Sequence, residues 1–269
     1  MPRILVAVVA FACPAFGLAQ GAFPSRPVSM VIGFAPGGGA DIAARIIVKK
    51  LSENIGQSII VENRPGAGGQ IAATAVAKAA PDGYTIYLAN VGVLAVAPHL
   101  VSSLPFNPER DFAPITMAVV LDNVLVVHPS VAARTLAEYI AEANKRPGGM
   151  PYGSSGIGGA GHLAGELLKL MAKANLVHVP YKGGGPAMSD VLGGQIPSLI
   201  TTAGTAAPHV KAGRVRALAT TGSKRSTFYP DVPPVAEAGY PGFEAVNWYA
   251  YVAPANTPRE IVERWNREI

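Results

Sequence analysis

The residues in this chain most able to do chemistry are glycine-rich turns that expose backbone N–H groups. The clearest is Phe34–Asp41 (FAPGGGAD), which stands between an apolar run, Val28–Phe34, and a helical pattern that starts near Ile42. Glycines leave the amides uncovered, and amides at a helix N-terminus carry partial positive charge, so such a turn suits an anion. Asp41 is a favourable N-cap residue. We therefore expect Asp41 to hold the turn rigid while the amides of Gly37–Ala40 meet the anion.

Three further glycine-rich loops follow predicted strands, at Asn63–Gly69, Gly153–Gly161 and Tyr181–Gly185. In open α/β sheets, ligands bind at the carboxyl ends of the strands, where such loops lie. One glycine loop is usually an ordinary tight turn, but four of them in two groups favour a single anion site between two lobes. The hydroxyl groups of Ser154 and Ser155 are the expected side-chain donors to a carboxylate there.

Signals for catalysis, metals and cofactors are weak. Gly156–Gly161 satisfies G-x-G-x-x-G, but a dinucleotide site also needs an acidic residue about 20 positions later, and Leu176–Pro180 has none. Gly153–Gly156 lacks the spacing of the G-x-S-x-G nucleophile elbow. The histidines show no close pair at metal-ligand spacing; we expect His162 to bond a loop carbonyl and His178 to be a satisfied core residue. The sequence therefore predicts no enzyme, no metal and no cofactor.

Composition and the N-terminus indicate an exported globular protein. The chain has 269 residues, 49% of them hydrophobic, and a formal net charge of +5. Its basic residues are scattered rather than clustered with aromatic residues, which disfavours nucleic acid as a partner. Residues 1–19 have the pattern of a signal peptide, with Arg3, the apolar run Ile4–Phe16 and small residues before Gln20. A buried N-terminal helix is the alternative. Cleavage would remove Cys13, the only cysteine.

Strand-like and helix-like runs alternate after residue 19, which is typical of an α/β fold with mainly parallel sheets. Two such series favour two α/β lobes. The predicted first lobe is residues 20–122, completed by about 240–269, and the second lobe is residues 123–239. A proline-bounded irregular connection is expected over Pro105–Pro114.

Local signals give three finer predictions. Thr135 and Thr257 each stand where a helix begins, and we expect both to be N-caps. The late strand Asn247–Val252 alternates, which places Tyr249 with Tyr251 on one face. Core packing is the favoured role for these aromatic residues, with a place in a cleft wall as the alternative.

Several motifs, in order along the chain, resemble the Bug-type substrate-binding receptors of tripartite tricarboxylate transporters. The resemblance covers essentially everything after the signal, and the combination is highly specific. The segments that carry it are Phe34–Asp41 with Ala44-Arg45, Val61–Gly69, Pro81–Thr85, Tyr152–Gly156 with His162-Leu163, and His178–Gly184.

This resemblance implies a periplasmic binding protein with a type II-like, Venus-flytrap fold, each lobe a mainly parallel sheet flanked by helices. It implies a monomer that closes on a small organic carboxylate and delivers it to the permease subunits of the transporter, with no cofactor. Loop amides and hydroxyls hold one carboxylate, partly through ordered waters, and loops at Asn90–Gly92 and Thr201–Ala203 surround the distal part. The expected ligand-binding residues are Gly37, Gly38, Gly39, Ala40, Asp41, Asn90, Val91, Ser154, Ser155, Gly156, Thr201 and Thr202.

Two departures from the family pattern carry expectations. Many relatives have a Phe-Asp pair where this chain has Thr201-Thr202, and the missing carboxylate disfavours a ligand that bears an ammonium group. Relatives also extend past the position of Ile269, so we expect the natural protein to continue.

Two other functions stay open from the residues alone. A secreted hydrolase-like enzyme acting on an acyl or phosphate substrate would use Ser155 with His162 or His178, although no orienting acid is evident. A ligand-sensing component of a signalling system would capture the same ligand and differ only in its partner. The sequence does not name the acid, because backbone amides recognise a carboxylate whatever is attached to it.

Overall fold

The computed structural model describes residues 23–269. The predicted signal peptide, residues 1–19, and Cys13 lie outside the described residues. The described chain forms two five-stranded sheets with helices around them. This arrangement confirms the predicted two-lobed α/β fold. We call the part built around each sheet the first lobe and the second lobe.

The first lobe has a sheet of strand order β2-β1-β3-β10-β4. Its strands are β1 (Val28–Ile32), β2 (Ile59–Asn63), β3 (Thr85–Asn90), β4 (Phe112–Leu121) and β10 (Asn247–Pro254). Its helices are α1 (Gly39–Ile55), α2 (Gln70–Ala77), α3 (Ala97–Leu100), α4 (Pro108–Asp111) and α9 (Arg259–Glu268), with a 3₁₀ turn at Ala67–Gly69 and a π-helical turn at Gly92–Val96.

The second lobe has a sheet of strand order β7-β6-β8-β5-β9. Its strands are β5 (Asn123–Val127), β6 (Met150–Ser154), β7 (Leu176–Pro180), β8 (Ser198–Thr202) and β9 (Arg216–Thr220). Its helices are α5 (Leu136–Lys145), α6 (Ala160–Ala172), α7 (Gly184–Leu192) and α8 (Ala203–Lys211).

The two sheets share one topology. In each, three neighbouring strands are parallel to one another. The third of them pairs with an antiparallel fourth strand, β10 or β5, and the fourth pairs antiparallel with the fifth. Four of the five strands in each sheet therefore run in the same direction, as the prediction of mainly parallel sheets required. The glycine-rich loops after β1, β2, β6 and β7 all leave carboxyl ends of strands.

Apolar side chains from the strands and helices fill the core of each lobe. In the first lobe Met30, Leu88 and Tyr251 are buried together with Trp265 of α9. Burial alternates along the start of β10, and Tyr249 and Tyr251 are both buried, as the sequence pattern predicted. No helix among residues 23–269 is both long enough and apolar enough to cross a membrane.

The predicted irregular connection over Pro105–Pro114 is wrong in part, because α4 and the start of β4 lie there. Strand β4 is at the edge of its sheet and pairs only with β10. Proline has no backbone N–H to donate, and an edge strand tolerates Pro114 because one of its sides has no partner strand. Thr135 is an N-cap, as predicted, and its Oγ1 accepts from Glu138 N at 3.2 Å. Thr257 is not: Pro258 holds the cap position of α9, and Thr257 Oγ1 donates to Pro254 O at 2.7 Å.

Candidate ligand-binding site

The four predicted glycine loops meet where the two lobes touch. Ala35 N, in the loop after β1, donates to Lys182 O of the second lobe at 2.9 Å. A Cβ atom at Gly38 would lie 3.2 Å from Gly184 N, and one at Gly68 would lie 2.5 Å from Ile157 O. Backbone therefore packs against backbone across the junction, and a side chain at Gly68 would separate the lobes.

A narrow cavity of about 20 Å³, room for about one water molecule, lies at this junction. Among the residues that the structure describes, no charged side chain lines it, and its polar groups are backbone amides, hydroxyls and one carboxamide. The lining residues are Phe34, Gly38, Gly39, Ala40, Asn123, Ser155, Gly184, Thr201, Thr202 and Tyr249.

Six of the predicted site residues line this cavity: Gly38, Gly39, Ala40, Ser155, Thr201 and Thr202. The other six, Gly37, Asp41, Asn90, Val91, Ser154 and Gly156, lie outside its lining. Gly156 packs instead against Gly68 and Tyr181 O, and Asn90 is buried beside Gly69 and Gly92. These residues surround or support the loops.

Asp41 is not the N-cap of α1, contrary to the prediction. The helix begins at Gly39 after an N-cap, Gly38, with extended backbone, so Asp41 lies in the first turn. Its carboxylate accepts from Gly37 N at 3.1 Å and from Asn63 Nδ2 at 3.1 Å, and it forms an ion pair with Arg45 at 3.0 Å. Asp41 does hold the turn, as expected, but it occupies the amide of Gly37. That amide was predicted to meet the anion and is already bonded.

The environment of Asp41 favours its charged form. Burial alone would raise the pKa of its carboxyl group, but hydrogen bonds from Arg45, Gly37 and Asn63 outweigh burial and lower this pKa below its usual value. The remaining amides of the first helical turn have no partner within the helix. Gly39 and Ala40, in this first turn, line the cavity at the positive end of the α1 dipole.

The lobes approach each other closely at Gly39. A Cβ atom there would lie 2.3 Å from Thr202 Oγ1, at the end of β8 in the second lobe. Thr202 is itself fixed, because its Oγ1 and that of Thr205 form a hydrogen bond of 2.7 Å. Glycine is required at this position for the lobes to meet as they do.

Two stacked histidines support the loop after β6. The rings of His162 and His178 lie 4.1 Å apart with an interplanar angle of 30°. His178 Nε2 and Ser154 Oγ form a hydrogen bond of 2.7 Å, while His162 Nδ1 accepts from Gly158 N at 3.1 Å. His178 is a satisfied residue, as predicted, but the expected bond from His162 to a loop carbonyl is wrong. Each histidine fixes one end of the loop that presents Ser155.

Both rings are held in their uncharged form. Burial and the neighbouring His162 lower the pKa of His178 to about 4. Burial also lowers the pKa of His162, against the opposing charge of Glu166, whose Oε1 lies 4.0 Å from Nε2. The side chains of Lys169 and Tyr152 both donate hydrogen bonds to the Glu166 carboxylate.

The serine–histidine contact does not have the form of a hydrolase nucleophile. Ser154, rather than the predicted Ser155, reaches His178, and Ser154 is fully buried. Its Oγ is also engaged with Gly156 N at 3.2 Å. Ser155 lines the cavity, and no hydrogen bond among the described residues joins it to a histidine. Ser154 therefore shapes the loop, and its predicted role as a hydroxyl donor to a carboxylate does not fit this burial.

Four lining residues were not among the predicted site residues: Phe34, Asn123, Gly184 and Tyr249. Gly184 lies in a glycine loop that the sequence did identify, and Tyr249 had a cleft role as its alternative interpretation. For Asn123 the only signal is a polar residue at the start of an otherwise apolar strand, next to the crossing between lobes.

A wider apolar groove borders the cavity between α1, β4 and residues 225–228. Ile46, Val120 and Phe228 are exposed along it. It shares Gly39 and Thr202 with the cavity, and none of its other lining residues belongs to the glycine-rich loops. The groove therefore lacks most of the loop backbone that lines the cavity.

Comparison with known proteins finds one family profile and several relatives. The profile of the tripartite tricarboxylate transporter family receptor matches residues 43–268. Protein BugT of Bordetella pertussis is 38% identical over 267 residues, which cover 99% of this chain and 81% of BugT. A protein of Pseudomonas sp. is 43% identical over 249 residues, covering 92% of this chain and 74% of that protein.

Solved structures give the same result. An R. palustris protein with adipate has a TM-score of 0.88 and 37% identity, covering 91% of this chain and 82% of that one. MatC from Rhodopseudomonas palustris with bound malate has a TM-score of 0.86 and 33% identity, over 91% and 84% of the two chains. The periplasmic binding protein BugD has a TM-score of 0.88 and 35% identity, over 91% and 82%.

Proposed function

The chain belongs to the tripartite tricarboxylate transporter receptor family, and we propose that this receptor binds a small organic dicarboxylate between its lobes, with one carboxylate at the loops that line the cavity. Solute reception for a carboxylate transporter is the function of the family. The dicarboxylate class rests on two structural relatives, one described with adipate and one with malate. Delivery to the membrane permease subunits of the transporter is part of the same proposal.

The uncharged cavity wall supports a carboxylate held by backbone amides. Gly39 and Ala40 open a 17-residue helix toward the cavity from the first lobe, and Ser155 and Gly184 face it from the second. Hydrogen bonds from backbone N–H groups to a carboxylate are charge-assisted and stronger than neutral ones. A carboxylate in the cavity would be bonded from both lobes, so the ligand would favour the closed arrangement.

We propose capture without chemistry. The Ser154 hydroxyl is buried and bonded, and the described residues contain no cluster of three or more metal-ligating side chains. Residues 1–19 are proposed to direct export to the periplasm, where structural relatives such as BugD act as binding proteins. We further propose that the receptor is a monomer, with residues 20–122 and about 240–269 closing against residues 123–239.

A thermal-shift screen of the purified chain tests the proposal. The panel holds malate, adipate, monocarboxylates, tricarboxylates, amino acids and neutral sugars. A ligand at about 100 times its Kd stabilises the folded state by about 2.7 kcal/mol, which raises Tm measurably. We expect dicarboxylates to raise Tm and neutral sugars to leave it unchanged. A well-folded sample that no acid stabilises would contradict the proposal, and a shift with amino acids alone would overturn the ligand class.

A further inference from the structure

Asn123 is the only carboxamide in the cavity lining of the described structure, and it has no assigned role. It is 1% exposed, and its Nδ2 has no hydrogen-bond partner among the described residues. A buried N–H donor without a partner costs about as much free energy as a lost hydrogen bond. A receptor keeps such a group at little cost when the ligand supplies the acceptor.

The backbone around Asn123 is rigid. Its N–H donates to Thr221 Oγ1 at 2.9 Å, and its carbonyl accepts from Thr221 N at 3.0 Å. On the other side it pairs with Thr202, the residue that meets Gly39 of the first lobe. Because β4 ends at Leu121 and β5 begins at Asn123, the side chain lies where the chain crosses between the lobes. The carboxamide is therefore positioned before any ligand arrives.

We infer that Asn123 is a specificity-determining residue whose Nδ2 donates a hydrogen bond to an oxygen of the bound carboxylate ligand. The inference rests on the proposed function and adds a side-chain donor to the backbone amides. Thr201, Thr202 and Tyr249 line the same cavity with hydroxyl groups and no carboxylate. This wall matches a ligand rich in oxygen acceptors and leaves an ammonium group without a charged partner.

Asn123→Leu separates a binding role from a structural one, because leucine has a similar size and no N–H. The variant should bind malate or adipate, whichever stabilises the wild type more, with a Kd about 10-fold higher in isothermal titration. The Tm of the ligand-free variant should equal or exceed that of the wild type, since a buried donor without a partner has been removed.

Thr220→Val is the matched control. Thr220 Oγ1 is also buried without a partner among the described residues, and Thr220 lies on β9 beside β5, outside the cavity lining. This variant should likewise keep or raise Tm while leaving Kd unchanged. Asn123→Asp is a second variant of closely similar shape, which should weaken binding more than the leucine variant because it places a carboxylate against an anionic ligand.

The outcomes are distinguishable. Weaker binding with unchanged or higher Tm in Asn123→Leu, and an unchanged Kd in Thr220→Val, supports the assignment. A wild-type Kd in Asn123→Leu, or in Asn123→Asp should the leucine variant not fold, overturns it while leaving the proposed function intact. A wild-type chain that binds no carboxylate at all overturns both.

Discussion

The loops after β1 and β6 occupy equivalent places in the two lobes, but a charged side chain holds the first and uncharged side chains hold the second. Each follows the middle one of three parallel strands and leads into a helix of 13 or 17 residues. In the first lobe the ionised carboxylate of Asp41 accepts hydrogen bonds from the loop and from side chains around it. In the second lobe uncharged imidazole rings hold the loop. His162 can accept a hydrogen bond from Gly158 N only through an unprotonated Nδ1.

What the loops share is backbone geometry, and what differs is the condition under which each fails. The Asp41 support is lost only when its carboxylate is protonated in strong acid, because its pKa is lowered in the folded protein. The histidine support is lost as the rings gain protons, which their lowered pKa values oppose. The two loops therefore depend on groups that must stay in opposite protonation states, a deprotonated carboxyl group whose charge is kept and imidazole rings that stay neutral.

The largest expected effect comes from the glycine at which the two lobes meet. Gly39→Val places a branched side chain on Thr202 and should obstruct closure. Overpacking of about 3 kcal/mol corresponds to a roughly 100-fold higher Kd for the dicarboxylate in isothermal titration. Gly204→Val is the control, because a Cβ atom at Gly204 meets nothing within 4 Å. Wild-type affinity in Gly39→Val would mean that this closed arrangement is not the binding state.

A smaller effect is expected from the carboxylate that holds the first loop. Asp41→Ala removes hydrogen bonds to a charged group and should lower the free energy of unfolding in urea by about 2 kcal/mol. Arg45→Ala should cost about 0.5 kcal/mol, since the Arg45 side chain is 54% exposed. Equal losses in the two variants would show that the ion pair, and not the bond to Gly37, stabilises the loop.

The smallest effect concerns the histidines and appears as pH dependence. The unfolded chain protonates His178 near pH 6.5, whereas the pKa of about 4 keeps it neutral in the folded protein, so stability should rise with pH between these values. Between pH 6 and pH 7 the gain is at most about 0.7 kcal/mol per buried histidine. Urea unfolding across this range measures the slope, and His178→Gln should flatten it.

The exposed His99→Gln variant is the matched control for that profile. A His178→Gln variant with the wild-type slope would assign the pH dependence to other groups. If the slope flattens and the Kd for the dicarboxylate is retained, glutamine has replaced the bond to Ser154, and the ring serves the loop only as a hydrogen-bond partner.

Local patterns in the sequence predicted the elements that position the site. The sequence predicts strands over Asn123–Val127 and Met150–Ser154, and the structure has strands with those bounds; the apolar run Asn123–Val127 is a local signal. The edge strand β4 was missed in part because Pro114 reads as a break, and only its place at the sheet edge makes proline tolerable there.

Local patterns could not predict contacts between elements that are distant in sequence. His162 and His178 stack because α6 packs on the sheet beside β7, which no spacing along the chain encodes. The predicted N-cap, Asp41, lies three residues after the observed one because an extended glycine, Gly38, can cap a helix without a side chain. Asn123 is indistinguishable from an ordinary polar strand end until the fold buries it.

The position of β10 also sets the order in which the lobes can be completed during synthesis. All five strands of the second sheet lie between residues 123 and 220, so they leave the ribosome as one uninterrupted block. The first sheet needs residues 247–254 between β3 and β4, which were made more than 120 residues earlier. The first lobe therefore remains an open half-sheet until all five strands of the second sheet have been synthesised.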